Sequence, residues 1–252
     1  AAPPAVAPVW HTIVLIAAIL AVSATGASRV PDAHRQVHLL STYGLTTAME
    51  LAMLAWVVVG LWLRKTPLRS LLGENSLKLK SIALDFGIAA VFWIGSMMVL
   101  GTLAIAWVGI EAEVTHRPFI SADGKPDASQ QRTLQTLKQL APTNGEEIVA
   151  WALLCLVAGF AEECVFRGYL QQQFIAWGRG RAAMGVLFSA ILFGAGHGYE
   201  GPRSMFLIAV FGALFGGLAL LRRSLRAGII AHCWHDLITG LLLAFAKSQH
   251  LI

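Results

Sequence analysis

Seven stretches of this chain are apolar over about the length that a helix needs to cross a bilayer: Val9–Ala27, Ser41–Leu63, Ile82–Ile110, Ile148–Phe174, Ala182–His197, Ser204–Leu221 and Ala227–Ala246. Spanning the hydrocarbon layer takes roughly 17–25 such residues, and the fifth stretch is short by that measure. Composition agrees, with 56% hydrophobic and 13% charged residues and a mean hydropathy of +0.65. Soluble domains carry about a quarter charged residues, and a soluble fold of this length has too little interior to hide so much apolar surface. The expected fold is all-α: a polytopic helical membrane protein with about seven to eight transmembrane helices, the larger number counting a re-entrant piece. One membrane domain is expected over residues 1–252, with N-terminal spans and a loop in 1–144 and a core at 145–246.

The first stretch reads as a transmembrane helix and not as a secretory signal. Ala24-Thr25-Gly26-Ala27 has small residues suited to cleavage, but no Lys or Arg precedes the stretch, and a signal peptide needs a positive start. The sequence opens on Ala1 and not on a methionine, which suggests trimming. With seven spans, the loops Arg64–Lys80, Arg179–Arg181 and Arg222–Arg226 share one side and hold ten Lys or Arg, against eight in the loops of the other side. Positive charge near span ends sets orientation, so the first side and the N-terminus are expected in the cytoplasm, in the plasma (inner) membrane. The pI near 9.4 mostly reflects this bias. Basic residues flank spans and form no basic domain, so nucleic acid is excluded as a partner.

Polar punctuation falls at the Pro-rich start, at Ser28–His38, at Arg64–Lys80 and in the long loop His116–Gly145, where a helical piece is expected around Arg132–Leu140. Lys78 and Lys80 alternate with Leu77 and Leu79, a pattern suited to the membrane surface. Cys155, Cys164 and Cys233 are odd in number and form no C-x-x-C pair, so they read as buried bystanders.

Against this apolar background the fourth stretch carries Glu162, Glu163 and Arg167. Ionisable groups in a membrane interior are costly and by default mark function. Gly159, Glu163 and Arg167 fall at i, i+4 and i+8, so Glu163 and Arg167 share a helix face and can pair, while Glu162 points about a quarter turn away. One carboxylate is thereby neutralised, and the other is left free to take a proton from water. The fifth stretch ends in Phe193-Gly194-Ala195-Gly196-His197. In the seventh, His232 and Asp236 lie at i, i+4 with Gly240 a turn further, and His235 is offset. Two histidines and three carboxylates supply what peptide hydrolysis requires: a base for water and groups to stabilise an oxyanion.

The run Ala158-Gly159-Phe160-Ala161-Glu162-Glu163-Cys164-Val165-Phe166-Arg167-Gly168-Tyr169-Leu170, followed by Phe193-x-x-x-His197 and His232-x-x-x-Asp236, resembles the three motifs of the CAAX-protease and bacteriocin-processing (CPBP, or Abi) family of intramembrane endopeptidases. The resemblance covers about Gly145–Ala246, and its specificity comes from the order and spacing of the motifs. It implies a catalytic set in which Glu162 activates water with His197, Arg167 holds Glu163, and His232 with Asp236 forms the oxyanion-stabilising side. The family's third motif most often ends in Asn. An ionised Asp236 only accepts hydrogen bonds, so it is expected to orient a histidine or to be protonated. The resemblance also implies a peptide or protein substrate, lipidated in the CAAX branch.

No organic cofactor is expected. If a metal takes part, zinc held by Glu162, His197 and His232 is the implied set, but H-E-x-x-H is absent and metal-free catalysis is favoured. The alternatives to a protease are a proton-coupled transporter using the same groups as a relay and a non-catalytic bacteriocin-immunity membrane protein. Straight spans pose a geometric difficulty. Glu162 and His197 would lie about 20 Å below the Arg179–Arg181 side and His232 only about 8 Å below it. Gly212 and Gly216 suggest close helix packing, and Glu50 and Asp85 are isolated acids read first as structural, with a place facing the cavity as the alternative.

Overall fold

The computed structural model describes residues 3–27, 38–73, 77–116, 135 and 138–249. The helices are α1 (Val9–Ala27), α2 (Leu39–Leu63), a short α3 (Arg69–Leu72), α4 (Leu79–Thr115), α5 (Gly145–Glu162), a π-helical segment (Glu163–Leu170), α6 (Gln171–Trp177), α7 (Ala182–Gly196), a 3-10 turn (Gly198–Glu200), α8 (Pro202–Arg222) and α9 (Arg226–Ser248). Six helices among the described residues are long and apolar enough to cross a membrane, with α5, the π segment and α6 forming one continuous rod, and α7 is a shorter apolar helix. The chain is an all-α polytopic membrane protein. The connector expected at Ser28–His38 lies outside the described residues apart from His38, and of the helical piece expected around Arg132–Leu140 only 135 and 138–140 are described, in helical conformation.

Local chemistry sets the helix ends. Asn144 caps α5 by accepting from the Glu147 backbone N–H at 3.0 Å, while the Glu147 carboxylate accepts from Thr143 N–H at 2.7 Å. These bonds satisfy donors that the first turn leaves open. Pro202 opens α8, where its missing N–H costs nothing.

The rod α5–α6 lies at the centre, with α2 and α9 against its first half and α7 against its second. Its i, i+4 row Glu163, Arg167, Gln171 faces α8 and α9. Arg167 Nη2 donates to the Gly212 carbonyl at 3.3 Å and Gln171 Nε2 to the Gly216 carbonyl at 3.1 Å. A Cβ on Gly212 would sit 3.0 Å from the Phe193 ring, so the small-residue spacing of α8 serves contacts inside the chain. On the other side, Gln173 clamps the N-terminal segment: its Oε1 accepts from Val6 and Ala7 N–H and its Nε2 donates to the Ala7 carbonyl. Asp85 is structural as expected, paired with Arg222 at 2.8 Å and with Arg226. The three cysteines are free thiols, two buried and Cys233 half-buried.

The depth difficulty disappears because its premise is wrong: the α8–α9 connection is not at the level of the α6–α7 turn. Gly73 bridges Ser224, and Leu225 N–H donates to the Leu72 carbonyl at 3.0 Å. This junction is sunk against the rod at Gly168, where a Cβ would stand 2.8 Å from the Leu71 carbonyl oxygen and 3.3 Å from Leu225 Cδ1. Gly168 back to Glu162 and Leu225 on to His232 are then similar runs of helix, about 9 and 10 Å at about 1.5 Å per residue. The two motifs meet at one depth.

Candidate active site

Glu163, buried at 1% exposure, is the hub of the site. Its Oε1 accepts from Arg167 Nη1 at 2.8 Å and lies 2.9 Å from His232 Nδ1. An ionised carboxylate only accepts, so Nδ1 carries the proton and Nε2 is the atom His232 presents to the cavity. That nitrogen is 3.5 Å from Glu162 Oε2 and 3.8 Å from Asp236 Oδ2. Arg167 is also 1% exposed, and its guanidinium stacks over the Phe193 ring at 4.3 Å. The π-helical segment, all of it buried, carries Glu163 and Arg167, and α-helix irregularities of this kind recur at functional sites.

His197 sits at the C-terminal end of α7, where Nδ1 is 2.8 Å from the Phe193 carbonyl. A carbonyl accepts, so Nδ1 donates and Nε2 keeps a lone pair. Phe193 packs edge-on to His197 and contacts His232, so one aromatic backs both histidines. Glycines let the elements close in. A Cβ on Gly159 would meet Cys233 Sγ at 2.6 Å, and Gly240 leaves room for Trp151, whose Nε1 donates to the Asp236 carbonyl at 3.3 Å.

Glu162, His197, His232 and Asp236 all line one cavity of about 290 Å³. Glu163 and Arg167 stand behind its wall. His235, expected to be offset, also lines it. Three further residues line it: Tyr199 and Glu200 escaped the sequence reading, and Glu50 was read first as structural. Glu50 of α2 lines the cavity, and Tyr199 and Glu200 follow His197 after Gly198. The signals were an acid inside an apolar span and two polar residues adjoining a motif. Tyr199 is 39% exposed and lines both this cavity and a second one. Burial pushes its hydroxyl well up, aided by Glu200, so it remains a neutral donor. Burial likewise raises the Glu200 carboxyl, with His197 pulling it back.

The second cavity, about 520 Å³, lies between α1, α2 and α5 and shares Glu50, Glu162, His197 and Tyr199 with the first. Apolar side chains such as Ile19, Met49, Met53 and Leu154 make up much of its wall. As arranged, Glu162, His197 and His232 do not converge as a metal-binding set, and no group of three His, Cys, Asp or Glu does so among the described residues.

Residues 144–238, which hold all three motifs, match the family model described as type II CAAX prenyl endopeptidase Rce1-like. The resemblance read from the motifs is thus found independently over this segment, which is similar to CAAX-type endopeptidases. Comparison with curated proteins and with solved structures finds no match.

Proposed function

We propose that the chain hydrolyses peptide bonds inside the membrane by a metal-free, glutamate-based mechanism. Glu162 takes a proton from a water molecule as the water oxygen attacks the peptide carbonyl carbon. His197 Nε2, its lone pair free because Nδ1 is engaged by Phe193, accepts the water's second hydrogen bond and fixes its direction. Negative charge passes to the carbonyl oxygen, which is stabilised by a proton on His232 Nε2. The C–N bond then breaks and Glu162 returns its proton to the leaving amine. Glu163, held by Arg167, keeps the His232 ring in place through Nδ1. Asp236, 3.8 Å from Nε2, favours a proton at that position.

The observation that carries this reading is the position of His232, tied behind to Glu163 and open in front to Glu162 and Asp236 within a cavity shared with His197. The carrier and immunity readings receive no comparable support. The plasma (inner) membrane with the N-terminus in the cytoplasm is part of the proposal and rests on the distribution of positive charge. Purified protein in detergent, incubated with a peptide library and followed by mass spectrometry, tests the reading. Defined cleavage products are expected, and the absence of any cleavage, with prenylated peptides included, contradicts it.

A further inference from the structure

Glu50 belongs to neither the matched segment nor the mechanism, yet it is 7% exposed and lines both cavities. Its carboxyl group interacts with Glu162, and its Oε2 has no hydrogen-bond partner among the described residues. A buried carboxylate oxygen left without a donor is costly, so its retention calls for a ligand that supplies one. The surrounding charge says which sign. Among the described residues the two cavity linings contain the acids Glu50, Glu162, Glu200 and Asp236 and no lysine or arginine, and the cationic His232 of the mechanism is held by Glu163. Arg167, which stands behind the wall, is committed to Glu163 and the Gly212 carbonyl.

The shape says which kind of cation. Glu50 lines both the wide, mostly apolar cavity and the acidic one, and Met49, Met53, Leu154 and Trp151 line the wide one with it. An aliphatic stem carrying a cationic head fits such a lining, with the stem on the apolar wall and the head at the acid. A compact hydrated ion gains nothing from that wall.

We propose that Glu50 is a specificity-determining residue that receives a lysine or arginine side chain of the peptide substrate beside the bond to be cleaved. The proposal rests on the protease reading for its substrate class, and Glu50 sets preference without handling the proton of the attacking water. Because Glu50 adjoins Glu162, binding there brings the neighbouring peptide bond towards the base.

The test uses full-length protein and a neutral peptide series in which a single lysine is moved one position at a time, each member paired with its norleucine counterpart. At one register lysine should raise kcat/KM at least tenfold over norleucine, chiefly through KM. Glu50→Gln should bring that ratio close to one, and Glu50→Asp, which keeps the charge, should retain part of it. Non-cleavable versions made with D-residues around the scissile position report binding alone by fluorescence polarisation. If no peptide is cleaved but lysine-dependent binding is lost in Glu50→Gln, Glu50's role as receiver of the lysine side chain stands and proteolysis falls. Cleavage with a ratio near one at every register overturns the inference while sparing proteolysis. A wild-type preference that is undiminished in folded Glu50→Gln, or in Glu50→Asp and Glu50→Leu should Glu50→Gln fail to fold, also overturns it. So does the absence of both cleavage and lysine-dependent binding.

Discussion

His232 Nδ1 lies 2.9 Å from Glu163 Oε1, and this contact ties the last transmembrane helix to the central rod behind the cavity wall. The same oxygen accepts from Arg167, so the arginine acts on the histidine through the carboxylate. Removing one partner of a buried ion pair leaves an uncompensated charge, at a cost of about 3–5 kcal/mol. Arg167→Ala should therefore melt at a distinctly lower temperature in detergent and lose activity. An Arg167→Ala protein with wild-type melting and cleavage contradicts the coupling.

The sunken α8–α9 junction offers a separate test. A side chain at Gly168 meets the Leu71 carbonyl and Leu225, so it should push the junction outward and carry His232 away from Glu162. Overpacking of this kind costs about 1–3 kcal/mol. Gly168→Val is expected to lose most cleavage activity. Gly87→Val, where an added Cβ meets nothing within 4 Å, should behave like wild type. Equal activity in the two variants would show that the junction does not set the depth of His232.

Hydropathy alone located the spans, and their ends moved by only a few residues: Ser41–Leu63 became Leu39–Leu63 and Ile148 moved back to Gly145. The pairing of Glu163 with Arg167 was legible because i, i+4 spacing is a local property of a helix. The common depth of Glu162 and His232 was not, because it depends on where residues 71–73 meet 224–225, and that contact is remote in sequence. Glu50 was read first as structural for a related reason. An isolated acid in a span has a visible cost, but which neighbour it faces is decided by packing of α2 against α5.

Glu200 should leave a signature in stability against pH. Burial raises its carboxyl in the folded state, so folded protein holds a proton that unfolded protein releases. The stabilisation is complete below the ordinary carboxylate value, near about 4.3, and is lost as pH rises through the raised one. Thermal midpoints of wild type should fall over that interval more than those of Glu200→Gln. Parallel curves for the two proteins contradict this assignment.

Asp236 and the metal question meet in one substitution. In the metal-free scheme Asp236→Asn puts an amide of nearly the same shape 3.8 Å from His232 Nε2, and activity should be kept or raised. Were Asp236 instead orienting a metal-bound histidine, the change should lower metal affinity by about 10–100-fold, with activity following. Cleavage by wild type after exhaustive chelation, with metal content read by mass spectrometry, gives the independent answer. Inactivation reversed by zinc would replace the scheme.

The most direct measurement is the cleavage rate of Glu162→Gln beside its thermal midpoint. Gln keeps the shape of Glu162 and its place on the cavity wall 3.5 Å from His232, but it cannot take a proton from water. Loss of a general base costs about 10²–10⁴-fold in rate. The account predicts a fall of at least that size with a midpoint close to wild type. A folded Glu162→Gln protein that cleaves peptide at the wild-type rate would contradict it.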